Sequence, residues 1–132
     1  GDAESLRRIV EAYRDAGGRG PVAGQLHLSW ASDEQDALRI AREEWSNGVI
    51  RPPEAWDIAF PEEFDRRSAG ASEEDIRAAV HVSSDLSRHT THIAGLLATG
   101  IDALYLHHVG EEQAPWIDAF GERVLPALRV GA

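Results

Sequence analysis

The sequence predicts an α/β fold with a parallel sheet, and three observations carry that prediction. Ala103-Leu104-Tyr105-Leu106-His107-His108 is a short β-rich run that stops at Val109-Gly110 and gives way to an apolar pattern of helical period. The same succession, helix then strand then helix, recurs upstream, and such alternation implies parallel strands joined by crossovers, with helices covering the sheet. Only three strand segments are legible in 132 residues. That is too few for a complete α/β domain, and it leaves two sheet edges open to pairing.

Residues 2–13 set Leu6, Ile9, Val10 and Tyr13 on one helical face with Arg7, Arg8 and Glu11 on the other, and Gly17-Gly18 supplies the left-handed residue that ends a helix. Residues 21–30, PVAGQLHLSW, read as a strand in which Gln25, His27 and Ser29 alternate with Leu26, Leu28 and Trp30. Ser32 opens the next helix through the box Ser32-Asp33-Glu34-Gln35. Ala37, Leu38, Ala41 and Trp45 form its buried stripe, and Gly48 stops it. Residues 49–71 form an irregular insertion bearing Pro52-Pro53, Trp56, Phe60-Pro61 and Phe64, too long for a routine connection. A second box, Ser72-Glu73-Glu74-Asp75, starts a short helix with Ile76 and Ala79; residues 80–83, VHVS, are a brief strand. Ser84 or Asp85 then caps a helix running through Ile93, Leu96 and Leu97 to Gly100. The closing helix carries Trp116, Ile117, Phe120, Val124, Leu125 and Leu128, with Pro115 tolerated in its first turn. Residues 1–132 thus read as one domain.

The formal net charge is -10, and all 13 basic residues are Arg. No basic stripe is available for a duplex, so a nucleic-acid partner is not expected. Lacking Lys, the chain has no Schiff-base or P-loop lysine; lacking Cys, it has no disulfide, thiol nucleophile or thiolate metal site, which suits a cytoplasmic protein. No apolar run approaches the roughly 20 residues of a membrane span. The opening Gly1-Asp2 and the absence of Met suggest a processing scar, a cleavage product or an internal boundary rather than a translation start.

Four collinear segments carry a resemblance: QLHLSWA (25–31), REEWSNGVI with PPEAWD (42–50 and 52–57), HVSSDLSRH (81–89), and TGIDALYLHHVGEEQ with IDAFGERVLPAL (99–113 and 117–128). Together they resemble the C-terminal portion of the luciferase-like monooxygenases, flavin- or deazaflavin-dependent oxidoreductases. The resemblance implies a partial (β/α)8 barrel, about its last three βα units, and a cofactor of the FMN or deazaflavin type. It implies a small organic substrate for the parent protein, with this chain supplying only part of the catalytic rim. The alternative is a catalytically incomplete half-barrel, serving as an assembly or binding module or arising by truncation. Open sheet edges predict a homo-oligomer.

Within that frame, Ser83 and Ser84 follow a strand and open a helix, where free amides and the helix dipole suit a cofactor phosphate; the competing role is an ordinary cap worth about 1 kcal/mol. His107 and His108 end the closing strand, so one ring should enter the barrel mouth and the other meet the surrounding helices. A rim histidine there could polarise a substrate or donate to a flavin carbonyl, or simply pack. Trp30 could stack on a flavin ring or fill the core. His89 and His92, three apart on a helix, form the only candidate metal pair; no HExxH motif supports it, and no metal is expected. The pairs Glu62-Glu63, Glu73-Glu74 and Glu111-Glu112 are read as helix-start residues answering the dipole.

Overall fold

The structure is a computed structural model and describes residues 2–130. Helix α1 (Ala3–Asp15) begins where the Asp2 carboxylate accepts the Ser5 amide at 2.8 Å, and it ends before Gly17, whose φ of 88° suits only a residue without a Cβ. Strands β1 (Ala23–Ser29), β2 (His81–Val82) and β3 (Ala103–His108) form one parallel sheet of order β2-β1-β3. β3 pairs with β1 from Ala23 opposite Ala103 to Leu28 opposite His108. β2 joins only at the far end, Leu28 opposite His81 and Ser29 opposite Val82. Although β2 lies between the others in sequence, it sits outside β1. Two residues offer too few ladder bonds to hold a place between two longer strands, so β1 and β3 pair directly. The edge of β1 below β2 is left open.

The two faces of the sheet bury separate cores because strand side chains alternate. Leu26 and Leu28 meet Ile93 and Leu96 of α5 (Leu86–Leu97), together with Phe120 and Val124 of the closing helix. On the opposite face the Ser29 hydroxyl donates to the Ala37 carbonyl of α2 (Glu34–Trp45) at 2.7 Å. There Ala37, Leu38 and Ala41 pack with Ile76 of α4 (Glu73–Ala79), Val80, Val82 and Val109. Burying each large aliphatic residue in these cores contributes about 1.5–3 kcal/mol.

Several boundaries differ from those the sequence suggests. Helix α2 is capped by Asp33 rather than Ser32: its carboxylate accepts the Gln35 and Asp36 amides at 2.8 and 3.2 Å, and a charged acceptor suits the positive helix end better than a hydroxyl. Trp45, expected in the buried stripe of α2, is only half-buried. Within the insertion, two 3-10 turns, Ser46–Val49 and Glu54–Asp57, precede a real helix, α3 (Pro61–Ser68). Apolar period does not announce α3, since Phe64 is its one large apolar residue. Pro61 in its first turn, Glu62-Glu63 near its start and Arg66-Arg67 near its end support it instead. The Ser72–Asp75 capping box forms as expected. Asp85, not Ser84, caps α5, accepting the Ser87 amide at 2.8 Å.

The closing helix runs as α6 (Ala114–Ala119), a wider π turn over Phe120–Val124, and α7 (Leu125–Val130). Pro126 explains the wide turn. It has no N–H for the carbonyl four residues back and its ring crowds that carbonyl, so the Leu125 amide bonds to Phe120 and the helix continues. Among the described residues no helix is long and apolar enough to cross a membrane.

Candidate functional site

A cleft of about 470 Å³ opens at the C-terminal ends of β1 and β3, the end of a parallel sheet where α/β folds place their ligand sites. Trp30 extends β1 into it, His108 and Gly110 extend β3, Ile40 comes from α2 and Trp116 from α6. Trp116 lies against His108 with ring centroids 5.5 Å apart and planes 20° apart. His108 is 3% exposed. Burial pushes its imidazole below the ordinary value; the Leu28 carbonyl opposes that shift and His107 adds to it. A neutral imidazole keeps one donor and one acceptor nitrogen. Its Nδ1 is buried without a partner, as is the Trp116 indole nitrogen. A Cβ at Gly110 would stand 2.9 Å from both His108 Nε2 and Ile40, so the glycine keeps the floor of the cleft open.

His107 turns the other way, as period two requires. Its ring stands edge-on to His27 at 5.1 Å and to Trp45 at 4.9 Å, and the His27 and Trp45 rings are themselves 4.9 Å apart. Burial pushes His27 below the usual imidazole value, with His107 adding to the shift. The two adjacent histidines therefore serve opposite faces of the sheet, only one of them in the cleft.

The other expected residues are held by internal bonds. The Trp30 indole donates to the Ser84 carbonyl at 3.1 Å. Ser83 is fully buried: its amide donates to the Ser29 carbonyl, its hydroxyl accepts the Asp85 amide at 3.0 Å, and its carbonyl accepts His89 Nε2 at 2.9 Å. The Ser84 amide donates to the Glu34 carboxylate at 2.7 Å, and Arg77 also bonds that carboxylate at 3.0 Å. The Ser84 hydrogen bond holds Glu34 below the usual carboxylate range, with Arg77 adding to it. The amides read as an anion cradle are thus engaged within the chain itself, that of Ser83 by the Ser29 carbonyl and that of Ser84 by the Glu34 carboxylate.

His81, His89 and His92 gather where β2 meets α5. His81 stacks on His92 at 4.1 Å with planes 5° apart and meets His89 edge-on at 4.8 Å. Imidazole lone pairs lie in the ring plane, so two stacked rings cannot direct theirs at one ion. Among the described residues no group of three or more His, Cys, Asp or Glu side chains could hold a metal. Burial, with His92 and His89 alongside, pulls His81 down to about 3; burial also lowers His89 and His92.

Sequence reasoning passed over Trp116, Ile40, Glu43 and Glu44 as cleft residues, because helical period marks only the face a helix turns to its own core. The Glu111-Glu112 pair precedes α6, which has no acidic residue in its first turn, and lies at the cleft rim instead. The signal that could have found the cleft was Gly110, a glycine directly after a strand that ends in His108.

No family model matches the chain. Two curated relatives match it over 105 residues, both F420-dependent glucose-6-phosphate dehydrogenases. The one from Nakamurella multipartita is 26% identical and the one from Intrasporangium calvum 28%; each alignment covers 80% of this chain and 31% of the relative. The chain thus spans about a third of the length of these relatives. A solved F420-dependent secondary alcohol dehydrogenase, in complex with an F420-acetone adduct, superposes with a TM-score of 0.78 at 20% identity, covering 98% of this chain and 41% of that one. The chain has the fold of that part of the structure.

Proposed function

We propose that this chain, the C-terminal portion of a luciferase-like barrel, belongs to a deazaflavin-dependent oxidoreductase acting on a small organic substrate. One observation carries the reading: a cleft walled by Trp30, Trp116 and a neutral His108 sits at the C-terminal ends of the strands, in a chain whose relatives in sequence and fold are F420-dependent dehydrogenases. Flat aromatic walls suit a tricyclic ring or the substrate beside it. A deazaflavin supplies hydride transfer when bound. The part of this chain is to bind and orient: His108 can accept a hydrogen bond from a hydroxyl or give one to a carbonyl, and Ile40, Trp30 and Trp116 exclude water. The one cation lining the cleft, Arg39, is bonded to Asp36 and Glu43, so the cleft offers an anion no free partner.

Deazaflavin is favoured over FMN because all three relatives use F420. The catalytically incomplete reading draws on the open edge of β1 and on the exposure of Tyr105, Trp56 and Phe60, features that also fit a homo-oligomer. The test is a titration of the natural full-length protein with F420 and with FMN, followed by cofactor fluorescence and light scattering. Stoichiometric F420 binding to an oligomer is the expected result. FMN binding alone, or no binding of either, would overturn the assignment.

A further inference from the structure

A second pocket, of about 530 Å³, lies along β1 and shares no residue with the cleft. Four consecutive β1 residues line it, Gly24, Gln25, Leu26 and His27. Side chains on one face of a strand recur every second residue, so an unbroken run means that the pocket follows the strand edge. That edge is unoccupied because β2 joins β1 only at Leu28 and Ser29. Helix α1 and residues 78–80, where α4 ends, also line the pocket, which makes it a bounded cavity rather than a bare edge.

Its lining divides by chemistry. Leu6 and Ile9 of α1, Leu96 of α5 and Leu104 of β3 supply apolar surface, and Ile9 is 63% exposed, an apolar side chain left to water. The polar part carries Arg51, His27 and His92. Arg51 donates to the Ala78 carbonyl at 3.0 Å and has no carboxylate partner among the described residues. A guanidinium in that position keeps further N–H donors for a ligand. His27 and His92 make no hydrogen bond to a described residue, and solvent reaches their ring nitrogens, whereas His81 Nε2 and His89 Nδ1 are sealed in the packing. The nearby carboxylates are already engaged: Asp2 accepts the Ser5 amide and hydroxyl at 2.8 and 3.0 Å, and Glu34 accepts Arg77 and the Ser84 amide. Arg51 therefore meets the pocket as an uncompensated cation in a chain of net charge -10. Beyond about a Debye length, about 8 Å at physiological ionic strength, the acidic surface is screened, so contact at Arg51 decides which ligand is held.

We propose that this pocket binds small monocarboxylates with a compact apolar body, the carboxylate on Arg51 with His27 and His92 as hydrogen-bonding neighbours, and the body against Leu6, Ile9, Leu96 and Leu104. A planar guanidinium matches a carboxylate in shape and charge, and a cavity of this volume with an apolar wall and few polar groups suits a ligand of that size. The site stands apart from the cleft and adds a ligand that the oxidoreductase reading does not supply.

Cyclohexanecarboxylate and its neutral counterpart cyclohexanecarboxamide, titrated into this chain by calorimetry at neutral pH, test the assignment. The carboxylate should bind saturably and the amide about tenfold more weakly, the scale of one charge-assisted contact at a partly exposed site. Arg51→Gln should weaken the carboxylate about tenfold and leave the amide unchanged. Ile9→Ser, at an exposed helix position, should weaken both probes about threefold through lost apolar contact. Equal binding of the two probes, no saturable binding of the carboxylate, or an unchanged carboxylate affinity in Arg51→Gln would overturn the proposal. Should Arg51→Gln fail to fold, the Ile9→Ser variant decides: carboxylate binding as tight as in the parent would remove the ligand from this pocket.

Discussion

Acidification should unfold this protein partly through one ring, His81. The imidazole is packed between His92 and His89, with Arg88 adding to its depression and Glu34 opposing it, and burial is the largest cause of its fall from 6.5 to about 3. In the unfolded chain the same ring titrates near 6.5, so as the pH drops the unfolded state takes up the proton first. Stability present above pH 6.5 is therefore lost as the pH falls towards about 3. Between pH 7 and pH 5 the loss integrates to about 2 kcal/mol for any folded value well below 5. Because the ring keeps some contact with solvent, screening reduces this to about 1 kcal/mol. The substitution His81→Phe keeps a ring on His92 and removes the titration. Urea unfolding followed by far-ultraviolet circular dichroism at both pH values should show the variant losing about 1 kcal/mol less than the parent. His27, His89, His92 and His108 are depressed by burial as well, so both proteins should weaken in acid. An identical loss in the two proteins would refute the assignment to His81.

Two further substitutions test the packing. Leu28 is fully buried and pairs with strands on both sides, so Leu28→Ala should cost about 3 kcal/mol in urea unfolding, while Leu97→Ala, at 39% exposure, should cost under about 1 kcal/mol; equal costs would contradict the assigned core. Gly110→Ala would drive a methyl into His108 and Ile40, costing about 1–3 kcal/mol by thermal melt; a neutral result would contradict the close packing at the cleft floor.

The sequence by itself determined the elements whose cause is local. Alternation drew β1 and β3, the Ser72–Asp75 box started α4, and two adjacent histidines at a strand end had to face opposite sides of the sheet. Collinear motifs also brought the family resemblance, since those depend only on residue order. What depends on neighbours distant in sequence was not legible. Helix α3 is held by charges and a proline rather than by an apolar stripe, and the π turn follows from Pro126 acting within a helix already packed on the sheet. The order β2-β1-β3 was settled by how many ladder bonds each strand could offer β1. Above all, only the tertiary structure decided what Ser84, Trp30 and His108 face. The Ser84 amide is engaged by Glu34, fifty residues away, and the Trp30 indole by the Ser84 carbonyl. His108 alone of the two rim histidines reaches the cleft, because α2 and α6 converge over the strand end with Gly110 leaving room between them.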